Sequence, residues 1–340
     1  MDRISFKTDV LLAPYTTLRV GGEAGHFVVV KNEEEVREAV GFARRLNIPV
    51  KVLGGGSNLL VSDEGVNACV VKNEILGVEY KDSNDTVLVT AGAGVVWDDL
   101  VSDTVERELW GLENLSAIPG TVGATPIQNV GAYGVEVGEL IKEVRVYDID
   151  EDSFVTMSAE DCQFAYRDSF FKTAIGRHKI IVSVTYCLSK VPQSRLQYKD
   201  LAERFSVDSN PSLKKIREAV IEIRAGKFPD WSKVGTAGSF FKNPTINEIA
   251  ATDLAKQYPT LPMFPQKNGE VKISLGFILD KVCNLRGHRD GDVGLYENQA
   301  LILVNYGSHS TSEIEKFAQK ITETVFEKTK IKIEWEVNRW

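Results

Sequence analysis

An α+β fold is predicted for this 340-residue chain by three features of its sequence. The run HFVVVKNEEEVREAVGFARRLNIPVKVLGGGSN reads as strand, helix, strand and glycine turn. The stretches 69–93 and 140–190 show the period-two alternation of half-buried strands, and the final third alternates short strand and helix patterns. In the first run, Asn32 followed by Glu35 three residues on is a helix-start signature, and Val36, Ala39, Val40, Ala43 and Leu46 recur on one helical face. A second helix is expected from Trp97 to about Glu108, with Trp97, Leu100, Val101 and Val105 on its apolar side. Strands follow in IKEVRVYDID and HKIIVSVTYCLSK, then a polar turn in VPQSRLQYKDL. Asn210 and Pro211 are expected to open a helix running through Arg224, since proline in a first turn forfeits only an N–H that has no helical partner. Beyond it come SFFK, INEIAATDLAKQY, KISL, GFILDKVC, ALILVN, a helix capped by Ser310 and Glu313, and a terminal strand IKIEWEV. Boundaries are placed to give regions 1–76, 77–224 and 225–340.

Composition excludes several classes. A formal charge of −8 argues against nucleic acid as a partner, because that binding depends on clustered lysine and arginine; a local basic pocket for a phosphorylated small molecule is still allowed. MDRISFKTDVLL lacks the apolar core of a signal peptide, and no run is long enough to cross a bilayer, so a cytoplasmic protein is expected. Cys69, Cys162, Cys187 and Cys283 are far apart and form no C-x-x-C pair, and the chain has only 4 histidines, so no disulfide framework or metal is expected.

Two glycine-rich loops stand out. LGGGSNLL, residues 53–60, follows a strand and matches neither the P-loop nor the G-x-G-x-x-G fingerprint; by itself it is either a tight turn or a phosphate-facing set of amides. IPGTVGATPIQNVGAYG, residues 118–134, is too broken for regular structure and too apolar for an exposed linker, as expected of a loop lining a site. Together they suit one long anionic ligand, such as a pyrophosphate-containing cofactor.

GTAGSFFKNP, residues 235–244, poses a separate question. Ser239 beside Gly238 invites a nucleophile reading, yet Phe240 and Phe241 follow where G-x-S-x-G needs a second glycine. Locally, a small-residue turn entering a strand is the plainer reading.

The set LGGGSNLL, GLENLSAIPGTVGATPIQNVGAYG, FAYRDSFFK, GKFPD, GSFFKNP and EWEV, in this order from about residue 16 to 337, resembles the UDP-N-acetylenolpyruvoylglucosamine reductase (MurB) family of peptidoglycan precursor synthesis. QYKDL, with Tyr198, resembles the longer of its subtypes, the one with a tyrosine loop. The resemblance implies a non-covalent FAD site in the vanillyl-alcohol-oxidase (PCMH) type of fold, built from two α+β subdomains, with a C-terminal α+β domain for substrate. It implies a monomer that uses NADPH to reduce UDP-N-acetylglucosamine enolpyruvate, a hydride passing through FAD to C3 and a proton going to C2.

By motif, the resemblance makes Arg167 the group steadying the substrate carboxylate, Glu336 the residue that stabilises or protonates the enol, and Ser239 the proton donor to C2. Arg167 could instead be a local structural pair with Asp168, and Glu336 an ordinary strand-end carboxylate like Glu334. FAD contacts fall to Gly54, Gly55, Gly56, Ser57 and Asn58 in the first loop. In the second they fall to Pro119, Gly120, Gly123, Ala124, Gln128, Asn129, Gly131, Ala132, Tyr133 and Gly134. Substrate contacts fall to Tyr198, Lys227, Asn243, Arg286 and Gln299; Arg286 stands where the family often has lysine. The chain departs from the family after the glutamate, where it reads VNRW, and RVGGEA with Thr16 and Thr17 fits the family's opening only loosely. A covalent flavoenzyme of the same fold, a serine hydrolase and a noncatalytic nucleotide-binding protein are the competing readings. The first needs a histidine or cysteine in the glycine loops, the second a base for Ser239, and the third leaves Arg167, Ser239 and Glu336 without a purpose.

Overall fold

The alternating patterns form sheets and the 3.6-period patterns form helices in the computed structural model, which describes residues 4–208, 210–266 and 269–340. Its internal contacts divide the chain into two units. One takes the residues up to Val10 with Ala24–Gly55 and Asn67–Arg224; the other takes Leu11–Glu23, Gly56–Val66 and Ala225–Trp340. The sequence reading groups residues 11–23 and 56–66 with 1–76, whereas here they are bonded into the C-terminal unit. Thr236 N donates to Thr17 O at 2.9 Å, and Asn338 N donates to Asn58 O at 3.0 Å.

The first unit contains a four-stranded sheet in the order Lys7–Leu11, Glu23–Val30, Val66–Asn73, Val50–Leu53. Glu33–Leu46 is its crossover helix, started by Asn32, whose side chain accepts from Glu35 N, and ended by Asn47 in the left-handed region. Val36, Ala39, Val40 and Ala43 are buried there against Val28, Val30, Cys69 and Val71. The same unit holds a five-stranded antiparallel sheet ordered Ser153–Ser158, Ile141–Asp148, Lys179–Ser189, Thr86–Gly92, Val78–Ser83. The helix Trp97–Glu106 buries Trp97, Leu100 and Val101 beside it and stops before Glu108, which lies at φ 58°. The helix expected from Asn210 begins instead at Leu213 and extends to Lys227. Ser212 is the reason: its hydroxyl accepts from Lys215 N at 3.4 Å and its carbonyl from Ile216 N at 3.1 Å. VPQSRLQYKDL is more than a turn, because its end continues into the helix Lys199–Arg204.

The second unit is built on an antiparallel sheet ordered Gly235–Ser239, Ile302–Asn305, Val293–Leu295, Arg289–Asp290, covered by the helix Thr311–Thr329. Its core includes Phe240, Phe241, Leu303, Phe317 and Ile321. IKIEWEV was expected as a strand, and its burial does alternate, with Ile331, Ile333 and Val337 inside. Among the described residues it makes one bridge, Trp335 with Phe241. The partner segment reaches Pro244 three residues later, and proline has no N–H with which to extend a ladder. Among the described residues no helix is long and apolar enough to cross a membrane.

Candidate active site

The two glycine loops meet inside the first unit. A Cβ on Gly55 would lie 2.8 Å from Gly120 Cα, and one on Gly54 would lie 2.6 Å from Thr121 Oγ1. Glycine is required here for the loops to touch each other. The contact aligns donors: among the described residues, none accepts a hydrogen bond from the amides of Gly54, Gly55, Gly120 or Thr121. Thr121 Oγ1 is also buried without a partner, as is Gln128 Nε2. Buried donors left unmade are costly, so this set fits an anionic group such as the pyrophosphate of FAD. Beneath the loop, Lys72 Nζ donates to Gly54 O at 2.6 Å. Burial pushes the Lys72 pKa down against the opposing charge of Glu74. In the second unit, Gly56 takes φ 63°, and a Cβ there would lie 1.9 Å from Tyr15 O.

Other loop positions have internal partners. Gly123 N donates to Ala93 O and Ala124 N to Thr121 O. The Asn129 side chain donates to Glu136 Oε2 at 2.8 Å and Ala165 O at 2.9 Å, and accepts from Gly138 N at 2.9 Å. These residues shape the loop and tie it to the turn that carries Arg167. Asn58 likewise works within the second unit, its side chain donating to Glu336 O at 3.2 Å.

Arg167 sits in that turn, where Ala165 and Asp168 exchange backbone hydrogen bonds at 3.0 Å. Its Nη2 donates to Gly131 O at 2.8 Å, so the guanidinium is fixed to the second glycine loop. Lys172 Nζ braces both, donating to Arg167 O at 2.5 Å and Gln128 Oε1 at 2.7 Å. Asp168 accepts from Ser169 N at 3.0 Å. Four non-glycine residues around this loop hold positive φ: Ala117 at 57°, Asn129 at 41°, Tyr133 at 48° and Arg167 at 53°. Such backbone costs energy and clusters at functional sites. Ala117 is clamped from both sides, its N–H donating to Asp98 Oδ1 at 2.5 Å and its carbonyl accepting from Arg224 Nε at 3.1 Å. Asp98 in turn accepts twice from Arg217, at 2.7 and 2.9 Å.

Tyr198 begins the helix Lys199–Arg204, and its ring stands edge-on to Tyr133 at 5.3 Å. Asn114 secures that neighbourhood, its Nδ2 donating to Tyr133 O at 2.9 Å and Arg195 O at 2.8 Å. Burial raises the Tyr133 pKa to about 12, so its hydroxyl stays protonated at neutral pH.

In the second unit the segment that carries Glu336 runs beside the one that carries Ser239. The register of Gly235–Ser239 against Ile302–Asn305 shifts between Thr236 and Ser239, a bulge with Gly238 at φ 73°. Bulges of this kind re-aim the side chain that follows. Phe240 and Phe241, 0% and 1% exposed, anchor the strand end. Each contributes roughly 1.5–3 kcal/mol by burial. Glu336 N donates to Phe240 O at 2.8 Å, placing Glu336 beside the Phe240–Phe241 peptide, one residue beyond Ser239. The Glu334 side chain is 78% exposed and pairs with Lys242 at 3.4 Å. Asn243 and Gln299 approach one turn, since Asn243 Oδ1 accepts from Leu275 N at 3.0 Å and a Cβ on Gly276 would lie 3.2 Å from Gln299 Oε1. Arg286 pairs with Asp280 at 3.3 Å. Lys227 ends the helix Leu213–Lys227. Where the family pattern is lost, Asn338–Arg339 lies parallel to Leu59–Leu60.

Thr121, Lys72, Asn114 and the Asp98–Arg217–Arg224 group were not singled out from sequence. Lys72 had a visible signal as the one charge in CVVKN; Thr121 and Asn114 lay within motifs already noted but carried no mark of their own.

A loop pair with unpaired amides in an α+β scaffold suits a pyrophosphate-bearing cofactor, and the relatives of the chain make it a flavin-dependent oxidoreductase. Residues 24–157 match the family model described as FAD binding domain. Residues 230–340 match UDP-N-acetylenolpyruvoylglucosamine reductase, C-terminal domain. The chain is 40% identical to the UDP-N-acetylenolpyruvoylglucosamine reductase of Neisseria gonorrhoeae, over 99% of this chain and 98% of that one. It is 37% identical to that of Pseudomonas putida, over 98% and 99% of the two chains. The solved structure of the Thermus caldophilus reductase (MurB) matches with a TM-score of 0.70 at 25% identity, covering 99% of both chains. The chain belongs to the UDP-N-acetylenolpyruvoylglucosamine reductase family.

Proposed function

We propose that this chain uses NADPH to reduce UDP-N-acetylglucosamine enolpyruvate to UDP-N-acetylmuramate, with Ser239 supplying the proton to C2. The backbone bond from Glu336 N to the carbonyl of Phe240, the residue after Ser239, is the observation that carries this reading. FAD, when bound, would supply the hydride chemistry that links NADPH to C3 of the substrate. The amides of Gly54, Gly55, Gly120 and Thr121, with the Thr121 hydroxyl, would hold its pyrophosphate. Gly56, Ser57, Pro119, Gly131, Ala132 and Gly134 line the same loops. Adding hydride to an alkene conjugated with a carboxylate builds negative charge on that carboxylate. Arg167, fixed by Gly131 O, offers a planar cationic fork to it. Preorganised donors of this type are worth about 3–4 kcal/mol each. Ser239 gives its proton to C2, and Glu336 stabilises the protonation step.

Tyr198 and Lys227 are assigned to the diphosphate, and Asn243, Gln299 and Arg286 to the nucleotide side of the substrate. The carbonyl oxygens of Asn243 and Gln299 accept from Leu275 N and Leu301 N, which supports their amide NH2 groups as the ends that face ligand. We assign the protein to the cytoplasm, working as a monomer without nucleic acid.

Stopped-flow kinetics of Ser239→Ala tests the reading. NADPH should still bleach the flavin at a rate near wild type, while reoxidation by the enolpyruvyl substrate slows by about 10² to 10⁴, the usual contribution of a general acid. Equal slowing of both half-reactions would remove Ser239 as the proton donor. The same experiment on Glu336→Gln should show the same split, and near-normal turnover would pass the assignment to Glu334.

A further inference from the structure

We infer that the side chain of Asn58 is a positioning residue for Glu336, in addition to any contact its backbone makes with a cofactor. The inference rests on the reading of Glu336 as a participant in protonation. Both backbone polar groups of Glu336 are fixed. Its N–H donates to Phe240 O at 2.8 Å, and its carbonyl accepts from Asn58 Nδ2 at 3.2 Å. The carbonyl of Asn58 then accepts from Asn338 N at 3.0 Å, so one residue grips the chain on both sides of Val337. Val337 is buried in the core of the second unit, which limits how far the segment can shift while those bonds hold. The Phe240 bond sets Glu336 against the residue after Ser239, and the Asn58 bond sets its other end. Only the second depends on a side chain, so only the second can be removed by substitution.

The chemistry of the group supports this direction. A carboxamide offers both a donor and an acceptor, and here it is the donor that meets the Glu336 carbonyl. Asn58→Asp keeps the shape and removes the donor, leaving a carboxylate facing a carbonyl oxygen. Asn58→Ala removes both. Because Asn58 lies two residues beyond Gly56, the same short segment that begins as a glycine loop ends as a brace on the glutamate.

The test uses FAD-loaded protein and measures three quantities for wild type, Asn58→Ala, Asn58→Asp, Glu336→Gln and the double variant Asn58→Ala/Glu336→Gln. These are bound FAD per chain, the rate of flavin bleaching by NADPH, and the rate of reoxidation by the enolpyruvyl substrate. Measured on the FAD-loaded fraction, we expect reoxidation to slow about 10-fold more than bleaching in Asn58→Ala and at least as much in Asn58→Asp. The double variant should be no slower than Glu336→Gln alone, because a group that acts through another has nothing to act on once that other is gone. Loss of FAD with normal reoxidation in the remaining holoenzyme would make Asn58 a cofactor ligand and overturn the inference. Multiplicative slowing in the double variant would overturn it too. Normal reoxidation in Glu336→Gln would overturn the reading of Glu336 itself, an outcome distinct from normal reoxidation in Asn58→Ala alone.

Discussion

Thr121 shows how a single residue can cost the free fold something that a ligand recovers. Among the described residues its hydroxyl is buried with no partner, a state that costs roughly 1–3 kcal/mol. Thr121→Val keeps the shape and removes that penalty, so the apoprotein should unfold at the same temperature as wild type or higher. FAD affinity should fall about tenfold, equivalent to about 1.4 kcal/mol. Titration of apoprotein with FAD alongside thermal unfolding checks both, and a variant that loses stability without losing affinity would place the hydroxyl in the fold alone. Gly55 makes the converse case. Alanine there would meet Gly120 Cα at 2.8 Å, backbone that cannot swing aside, so Gly55→Ala should lower stability by about 1–3 kcal/mol even without FAD. The glycines were visible in sequence as a cluster, but their purpose was not. A run such as LGGGSN looks alike whether its glycines face a ligand or another loop, and here Gly54 and Gly55 face residues 120 and 121.

Among the elements, the bulge before Ser239 matters most. A Cβ on Gly238 would meet nothing within 4 Å, so space does not require glycine there; the φ of 73° does. Gly238→Ala should cost about 1–2 kcal/mol, the usual penalty for a left-handed L-residue. If the strand relieves that strain by losing the bulge, Ser239 changes face, and substrate-driven reoxidation should slow while NADPH bleaching is preserved. Denaturant unfolding with the two half-reactions reads out all three. The sequence reading of GTAGSFFKNP as a turn entering a strand was close, since Gly238 does turn the chain. It could not locate the shift, because a bulge is defined by the partner strand Ile302–Asn305, which lies some sixty residues on. IKIEWEV failed as a strand for a related reason: alternation specifies which side chains are buried, while a ladder also needs a partner with N–H groups in register, and Pro244 ends that partner.

Over the whole molecule, an aspartate in each unit, Asp63 in one and Asp98 in the other, holds a segment in place, and both contribute to the response to acid. Asp63 accepts from Thr311 N at 2.6 Å, Ser312 N at 3.0 Å and Ser310 Oγ at 2.9 Å, seating the start of the long helix Thr311–Thr329. Burial alone would raise its pKa, but these hydrogen bonds outweigh burial and hold it below the ordinary value. Burial would likewise raise Asp98, and the Arg217 and Ala117 hydrogen bonds with the charges of Arg217 and Arg224 bring it below. A carboxyl whose folded pKa is depressed contributes stability that is fully present above its unfolded pKa of about 3.9 and is lost as pH falls through the folded value. Urea midpoints of wild type should therefore drop below about pH 4. Asp63→Asn and Asp98→Asn should each be less stable than wild type at pH 7 and flatter over the acid window. An acid limb as steep as wild type in both variants would assign the effect to other carboxylates.

The sequence by itself determined the α+β class, the order of the main helices and strands, the two glycine loops and, through motifs spread over nearly the whole chain, the family. Those features are local: periodicity, caps such as Asn32 and Ser310, and short ordered motifs need no knowledge of what lies opposite. Tertiary structure alone decided that Gly54 and Gly55 abut Gly120 and Thr121, that Asn129 is occupied with Glu136 and Ala165, that Glu334 points outward beside Lys242, and that Asn58 holds Glu336. Each of these depends on which distant backbone group a side chain meets. Asn58 and Glu336 are separated by 278 positions, and no local pattern records the carbonyl that the fold brings to a carboxamide.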